Sequence, residues 1–117
     1  MTKRSRAVKH ADTWMSRYVR RSAADHSGRA TCFTCGKSGD WLYDMQAGHF
    51  MSRVHYSTRW HERNVKCQCP GCNMTNGGQQ YVFGVRLDDV HGSGTADQMV
   101  TLSKQTTKLS TDEIRQI

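Results

Sequence analysis

The sequence is poor in several features that would mark other classes of protein. It has a single proline, only ten acidic residues against 17 Lys and Arg, and no apolar run near the ~20 residues of a membrane-spanning helix. Its basic N-terminus is not followed by the apolar segment of a secretory signal, so we expect a cytoplasmic protein without a membrane partner. The 117 residues allow one compact domain. The formal net charge of +7 favours an anionic partner, nucleic acid above all.

The positive charge is concentrated near the N-terminus. Residues 1–29 contain eight basic and two acidic side chains, residues 30–80 five and three, and residues 81–117 four and five. With the local patterns, this division predicts a basic N-terminal arm at 1–9, a core at 10–80 and a helical extension of the same domain at 81–117. The arm itself is compatible with either a disordered tail or an ordered segment.

Residues 10–24 have the periodicity of an amphipathic helix. Asp12 or Thr13 is suited to cap its start. The apolar face that we expect to pack into the core consists of Trp14, Met15, Tyr18 and Val19. A second face carries Arg17, Arg20 and Arg21, and we expect it to contact a phosphate backbone.

Most of the Cys and His residues fall in 30–80, which has the pattern of short strands and turns. Further helices are predicted near 79–88 and 95–105. A short helix is predicted to begin after Ser110 or Thr111.

The strongest local signal is a pair of CxxC motifs, Cys32-Phe33-Thr34-Cys35 and Cys69-Pro70-Gly71-Cys72. Two such turns are typical of a tetrahedral four-cysteine zinc site, with room for a hairpin between them. Two disulfides are the alternative, but the absence of an export signal disfavours them. The fifth cysteine, Cys67, is predicted to be a small buried residue rather than a ligand.

Three polar residues follow one another between and after these turns: His49, then Asn64, then Asn73 directly after Cys72. This is the order of an HNH-type site. A neutral imidazole can take a proton from water near pH 7, and an amide can orient it. A divalent cation can neutralise charge on a scissile phosphate. Each residue alone has an ordinary structural explanation, so the indication comes from the ordered set.

On these motifs the chain resembles the phage lambda NinG (Rap) recombination proteins, and more broadly the HNH, or ββα-metal (His-Me finger), endonucleases. It is also similar to phage endonuclease VII, in which an Asn follows the last cysteine of a four-cysteine zinc site. The matching segments are Trp14-Met15-Ser16-Arg17-Tyr18, Cys32 to Lys37, Gln46-Ala47-Gly48-His49-Phe50, Thr58-Arg59-Trp60, Asn64-Val65 and Cys72-Asn73.

The resemblance implies an α+β fold, a small zinc-braced ββα-metal core with flanking N- and C-terminal helices. It implies structural Zn²⁺ on Cys32, Cys35, Cys69 and Cys72. It also implies His49 as general base, Asn64 as its support and Asn73 as the ligand of a catalytic Mg²⁺ or Mn²⁺. The implied activity is cleavage of branched DNA, such as D-loops and Holliday junctions, in the cytoplasm of a phage's host. A homodimer is expected for symmetric cutting.

One position departs from the broader pattern. Gly48 stands where many HNH sites carry a second metal ligand, and it offers no side chain. Asp44 is the first substitute, because positions 44, 46 and 48 would share a strand face. His55 and His61 are weaker candidates.

Two further arginines, Arg53 and Arg59, flank the expected site and are candidates to grip phosphates. An ion pair with Glu62 or Asp44 is the structural alternative for them. The same residues are compatible with three other functions: an HNH nicking or homing-type enzyme on duplex DNA, a non-catalytic zinc-finger module that binds nucleic acid, or an interaction domain.

Overall fold

The computed structural model describes all 117 residues and begins with one long helix, α1, over Lys3–Ser22. Thr2 is its N-cap and accepts a hydrogen bond from the backbone N–H of Ser5. The prediction of a start near residue 10, capped by Asp12 or Thr13, is therefore wrong. Residues 3–9 continue the helix, because Ala7 and Ala11 pack against Ile114 near the other end of the chain.

The buried face of α1 consists of Ala7, Ala11, Met15 and Val19 at four-residue spacing. Met15 and Val19 were predicted to be buried, and they are. Trp14 and Tyr18 are 47% and 39% exposed and stack on each other with ring centroids 5.2 Å apart. The prediction that Trp14 and Tyr18 pack into the core is therefore wrong, and the core meets α1 along its four buried residues.

The middle of the chain forms two separate antiparallel strand pairs. β1 (Arg29–Thr31) pairs with β2 (Ser38–Asp40) beside the first CxxC turn. β3 (Gln46–His49) pairs with β4 (Val65–Gln68), so that Gln46 lies opposite Gln68 and His49 opposite Val65. The β3–β4 connection includes the four-residue helix α2 (Tyr56–Arg59).

A π-helical turn over Gly71–Thr75 follows β4 and leads into the C-terminal helices. These are α3 (Gln80–His91), α4 (Thr95–Ser103) and α5 (Thr111–Arg115). The predicted helical segments at the C-terminus are confirmed to within a few residues. Ser110 and Glu113 form a complete capping box at the start of α5. None of the five helices combines the length and apolar character of a membrane span.

The interior is divided into small clusters rather than one large core. One surrounds the cysteines with Ala30 and Met45, one joins α1 to α5, and one joins α1 to β4 through Val65. Each of these clusters is small. Polar contacts and contacts between cysteine sulfurs must therefore contribute much of the stability of this domain.

Gly48 is required by close packing rather than by backbone conformation. A Cβ atom at this position would lie 1.8 Å from Oε1 of Gln68, whose side chain is fully buried. The Gln68 amide nitrogen donates to Thr34 Oγ1 and to the Gly78 carbonyl, so the side chain is held where it is. Gln68 thus occupies the space that a ligand-bearing residue at position 48 would need.

Replacing Gly48 with alanine should therefore destabilise the domain, by about 1–3 kcal/mol for overpacking. Chemical denaturation followed by circular dichroism measures this. Gly71→Ala is the matched control, because a Cβ there meets only Cys69 Sγ at 3.9 Å. Equal stability of the two variants would contradict the packing argument.

Candidate functional site

Four cysteine sulfurs converge where the two CxxC turns meet. The Sγ atoms of Cys32, Cys35, Cys69 and Cys72 all lie within 4.8 Å of one another. Cys35 Sγ and Cys69 Sγ are 3.7 Å apart, close to the ~3.8 Å edge of a tetrahedron with Zn–S bonds of about 2.3 Å. The predicted clustering is confirmed, and the set fits a structural Zn²⁺.

The thiols of this cluster differ in acidity. Burial raises the pKa of the Cys72 thiol to about 12, and the neighbouring sulfurs add to the effect. Burial also disfavours the Cys32 thiolate, but hydrogen bonds from Thr34 and nearby backbone groups outweigh it and lower the pKa of Cys32 to about 6. Zn²⁺ would balance the charge of four thiolates in so small a volume. Cys67 lies outside the four-sulfur set, is buried in the same hydrophobic cluster as three of its members, and has a pKa raised by burial to about 11. It is therefore a packing residue, as predicted.

His49 ends strand β3 with its ring beside α2. Its Nε2 lies 3.0 Å from the carbonyl oxygen of Arg59. Because a carbonyl only accepts, Nε2 carries the proton and Nδ1 keeps a free lone pair. Burial lowers the pKa of His49 below its ordinary value, although the hydrogen bond to Arg59 opposes this shift. The ring is therefore neutral near pH 7.

Asn64 is fully buried and holds the backbone that follows His49. Its Oδ1 accepts from the Met51 N–H at 2.7 Å, and its Nδ2 donates to the carbonyls of Met51 and Thr58, each at 3.0 Å. The Phe50 N–H donates to the Asn64 carbonyl. Asn64 thus contacts the loop around His49 rather than the His49 ring itself.

Asn73 lies in the π-helical turn, one residue after Cys72. Its Nδ2 donates to Oε1 of Gln46 at 2.8 Å, and Gln46 donates in turn to Met74 Sδ. Asn73 Oδ1 has no hydrogen-bond partner in the protein and is the kind of neutral oxygen that hard cations accept. Gln46 was not predicted as a site residue; its place in the same motif as His49 was the available signal.

His49 and Asn73 line one open cleft with a volume of about 730 Å³. Strand β3, helix α1 and the turn after Asn73 form its walls. The charged and polar side chains that line it include Asp12, Ser16, Arg20, Gln46, Ser52, Arg53 and Gln80. The structure therefore brings together two of the three ordered residues in a cleft that also presents arginine.

Asp12 is the centre of a polar network that the sequence analysis missed. Arg59 donates to it through Nε at 3.0 Å and through a terminal nitrogen at 2.6 Å, and Trp60 Nε1 donates at 2.9 Å. Burial opposes ionisation, but the hydrogen bonds and charge of Arg59 outweigh it and lower the pKa of Asp12. The network ties α1 to the segment that carries the Arg59 carbonyl.

This network changes the assignment of Arg59. Its partner is Asp12, not Glu62 or Asp44, and a further nitrogen donates to the Arg53 carbonyl. The Arg59 side chain is 14% exposed, whereas that of Arg53 is 63% exposed and only 3.8 Å from Asp12. Arg59 is therefore occupied in structural contacts, and Arg53 is the arginine that reaches into solvent.

The three arginines of α1 also differ in their contacts. Arg20 lines the cleft but donates to the carbonyls of Ser16, Trp41 and Leu42. The Arg21 guanidinium lies 5.4 Å from the centre of the Trp41 ring. Arg17 is exposed and makes no hydrogen bond or ion pair. Of the three, Arg17 is the freest to meet a phosphate.

The candidate substitutes for a ligand at position 48 lie outside the cleft. Asp44 precedes β3 in a turn, where its carboxylate accepts from the Asp40 N–H, so it does not share a strand face with residues 46 and 48. His55 precedes α2, and His61 Nδ1 accepts from the Arg63 N–H. Asp12 is the one carboxylate in the cleft, and Arg59 and Trp60 already use it.

A comparison with protein families matches residues 1–117 to the family described as Bacteriophage Lambda NinG protein. The predicted resemblance to NinG is confirmed by this match, which spans the whole chain. No curated protein and no solved structure matches the chain.

The zinc assignment predicts different outcomes for two cysteines that are both buried. Cys72→Ser should lose bound zinc and most of the folded population, because the metal contributes folding free energy. Cys67→Ala should retain one zinc ion per chain. Metal analysis of the purified proteins together with circular dichroism tests this, and equal zinc content in the two variants would refute the four-cysteine set.

The Asp12 network predicts a stability loss from a nearly isosteric change. Asp12→Asn should lose roughly 1.5–3 kcal/mol at neutral pH, the range for hydrogen bonds to a charged group. Denaturant titration measures the loss, and Asp89→Asn, at an exposed position of α3, should stay within about 0.5 kcal/mol of the parent. A similar result for both variants would show that the network contributes little.

Proposed function

The chain belongs to the NinG family, and we propose that it is a metal-dependent endonuclease that hydrolyses DNA phosphodiester bonds. The observation that carries this proposal is the shared cleft of His49 and Asn73, with Arg53 at its edge. A neutral imidazole can act as a general base, an unpaired amide oxygen can bind a divalent cation, and an exposed guanidinium can contact a phosphate, which together suit phosphodiester hydrolysis. The net positive charge of the chain suits a polyanionic substrate.

We assign the segment from β3 to the π-helical turn as an HNH, or ββα-metal, core. In support, β3 and β4 form an antiparallel pair, His49 ends the first strand, and Asn73 follows the second. The four-cysteine cluster joins the end of β4 to the turn after β1, which suits a zinc-braced core. The flanking α1 and the C-terminal helices belong to the same compact unit.

In this assignment His49 acts as the general base. Its Nε2–H is committed to the Arg59 carbonyl, so Nδ1 accepts the proton from the attacking water. The water oxygen bonds to phosphorus as the scissile P–O bond breaks, and the leaving oxygen departs with the bonding electron pair and takes a proton from solvent. Asn64 keeps the Met51 and Thr58 backbone in place, and Asp12 holds Arg59, so both position the base without touching the substrate.

Asn73 Oδ1 is the residue atom that would hold a Mg²⁺ or Mn²⁺ ion. When bound, such an ion neutralises the charge that develops on the phosphate. The cleft offers no free carboxylate, so the donor set fits an ion that keeps several waters and shares phosphate oxygens, as Mg²⁺ commonly does. Arg53 would contact the same phosphate group.

The substrate that we favour is branched DNA of the kind formed in recombination, such as a D-loop or Holliday junction, in the cytoplasm of a phage's host. The family membership supports this choice. Cutting both strands of a junction would require two chains. Duplex nicking, and binding without cleavage, are the competing activities.

The enzymatic proposal predicts the result of a cleavage panel with four-way, three-way, flap, single-stranded and linear DNA. The protein should cut branched DNA only when Mg²⁺ or Mn²⁺ is added. His49→Ala should reduce the single-turnover rate at least about 100-fold, the contribution of a general base. Because burial lowers the pKa of His49, the rate should fall to half its plateau only below about pH 6.5.

Two control variants sharpen this test. His26→Ala removes an exposed histidine outside the cleft and should cut at the parental rate. Asn73→Ala should raise the metal concentration needed for cleavage. Asn73→Asp, which keeps an oxygen ligand at this position, should cleave at the metal concentration that the parent needs. Binding of DNA without cleavage of any member of the panel would favour a non-catalytic module. Equal rates for the parent and His49→Ala would exclude His49 as the base.

A further inference from the structure

We propose that a double-stranded arm of the substrate lies along the outer face of α1, running from the cleft to the N-terminal end of that helix. The identity of the substrate as DNA rests on the proposed function. The α1 surface would set the orientation of the bound DNA and the minimum length of duplex on one side of the cleaved bond.

The outer face of α1 is a stripe of basic and small polar residues. Positions three or four residues apart share a helix face, and here they lie opposite the buried Ala7, Ala11, Met15 and Val19. We call this face the α1 stripe. Its residues are Arg6, Lys9, His10, Thr13, Arg17 and Arg20.

The positive charge of the α1 stripe is not balanced within the protein. Helix α1 contains seven basic residues and one acidic residue, Asp12, which Arg59 and Arg53 already neutralise. Arg6, Lys9 and Arg17 are exposed and form no ion pair. A run of unpaired charge beside a cleft is an electrostatic footprint for a phosphate backbone.

The stripe continues directly from the cleft. Thr13, Ser16 and Arg20 line the cleft itself. Thr13 also lines a second hollow of about 550 Å³, which has Arg6, Lys9, His10 and Arg115 around it. The two hollows therefore adjoin at Thr13, and a chain of phosphates leaving the cleft would meet the basic residues of the second hollow next.

The shape of the stripe favours a duplex over a single strand. From Arg6 to Arg20 it is about 21 Å long at 1.5 Å per residue, which matches about six base pairs. Single-strand binders rely on aromatic platforms for the bases, and the stripe contains no Trp, Tyr or Phe. The nearby Trp14 and Tyr18 stack on each other, and Tyr18 donates to Glu62.

The first test measures binding without cleavage, in the His49→Ala chain, by fluorescence anisotropy with a labelled four-way junction. The slope of the logarithm of the association constant against the logarithm of salt concentration is negative. Adding the triple change Arg6→Ala, Lys9→Ala and Arg17→Ala should reduce its magnitude by about 2.7, at 0.9 per phosphate contact. Between 50 and 200 mM salt, the affinity of this stripe variant should then fall about 40-fold less than that of its parent, the His49→Ala chain.

A charge-matched control separates the stripe from net charge. Lys37→Ala, Arg63→Ala and Lys104→Ala remove the same three charges from exposed positions outside both hollows, and should change the slope by less than about one. Circular dichroism confirms that each variant is folded. Equal slopes for the stripe variant and this control would overturn the proposal.

The second test shortens every junction arm, each closed by a hairpin loop, from about twelve to about three base pairs, so that no arm spans the stripe. The parent should lose roughly tenfold in affinity, and the stripe variant should lose none beyond its existing deficit. Insensitivity of the parent to arm length, or equal binding of single strands or double-stranded RNA, would overturn the proposal. Absence of cleavage with these binding results intact would refute the nuclease alone.

Discussion

The four-sulfur cluster is the constraint on which the arrangement of this domain depends. It joins the turn after β1 to the end of β4, two segments that are far apart in sequence and that meet in one small cluster of buried side chains. The second CxxC turn also carries Asn73, so the same backbone that presents Cys72 directs Asn73 toward Gln46 and the cleft. Loss of the cluster would therefore remove both a folding tie and one wall of the site.

A second tie holds the opposite wall. Asp12 on α1 binds Arg59 and Trp60, and the backbone carbonyl of Arg59 fixes the protonation of the His49 ring. The cleft thus lies between a sulfur cluster on one side and a partly buried ion pair on the other. The apolar clusters are small, so these sulfur and ion-pair contacts supply stability that a larger hydrophobic core supplies in bigger domains.

The glycine before His49 has a packing explanation with a chemical consequence. Gln68 fills the space beside Gly48, and its amide nitrogen is bound to Thr34 and Gly78, so it links the zinc turn to the wall of the cleft. A side chain at position 48 is excluded by this contact. The cleft therefore presents few protein ligands, and under the proposed function it would suit a hydrated cation shared with a phosphate of the substrate rather than a tightly caged one.

Features that depend on short-range spacing are predictable from the sequence alone. The CxxC turns, the C-terminal helices, the family resemblance and the placement of Cys67 outside the metal set follow from patterns within a few residues, because local geometry obeys that spacing. The tertiary structure alone decided how residues distant in sequence meet. The pairing of Asp12 with Arg59 spans 47 positions, and the helical order of residues 3–9 depends on contact with α5. The loss of Asp44 from the site depends on where β3 begins. No local pattern encodes these contacts, because each depends on the packing of separate elements against one another.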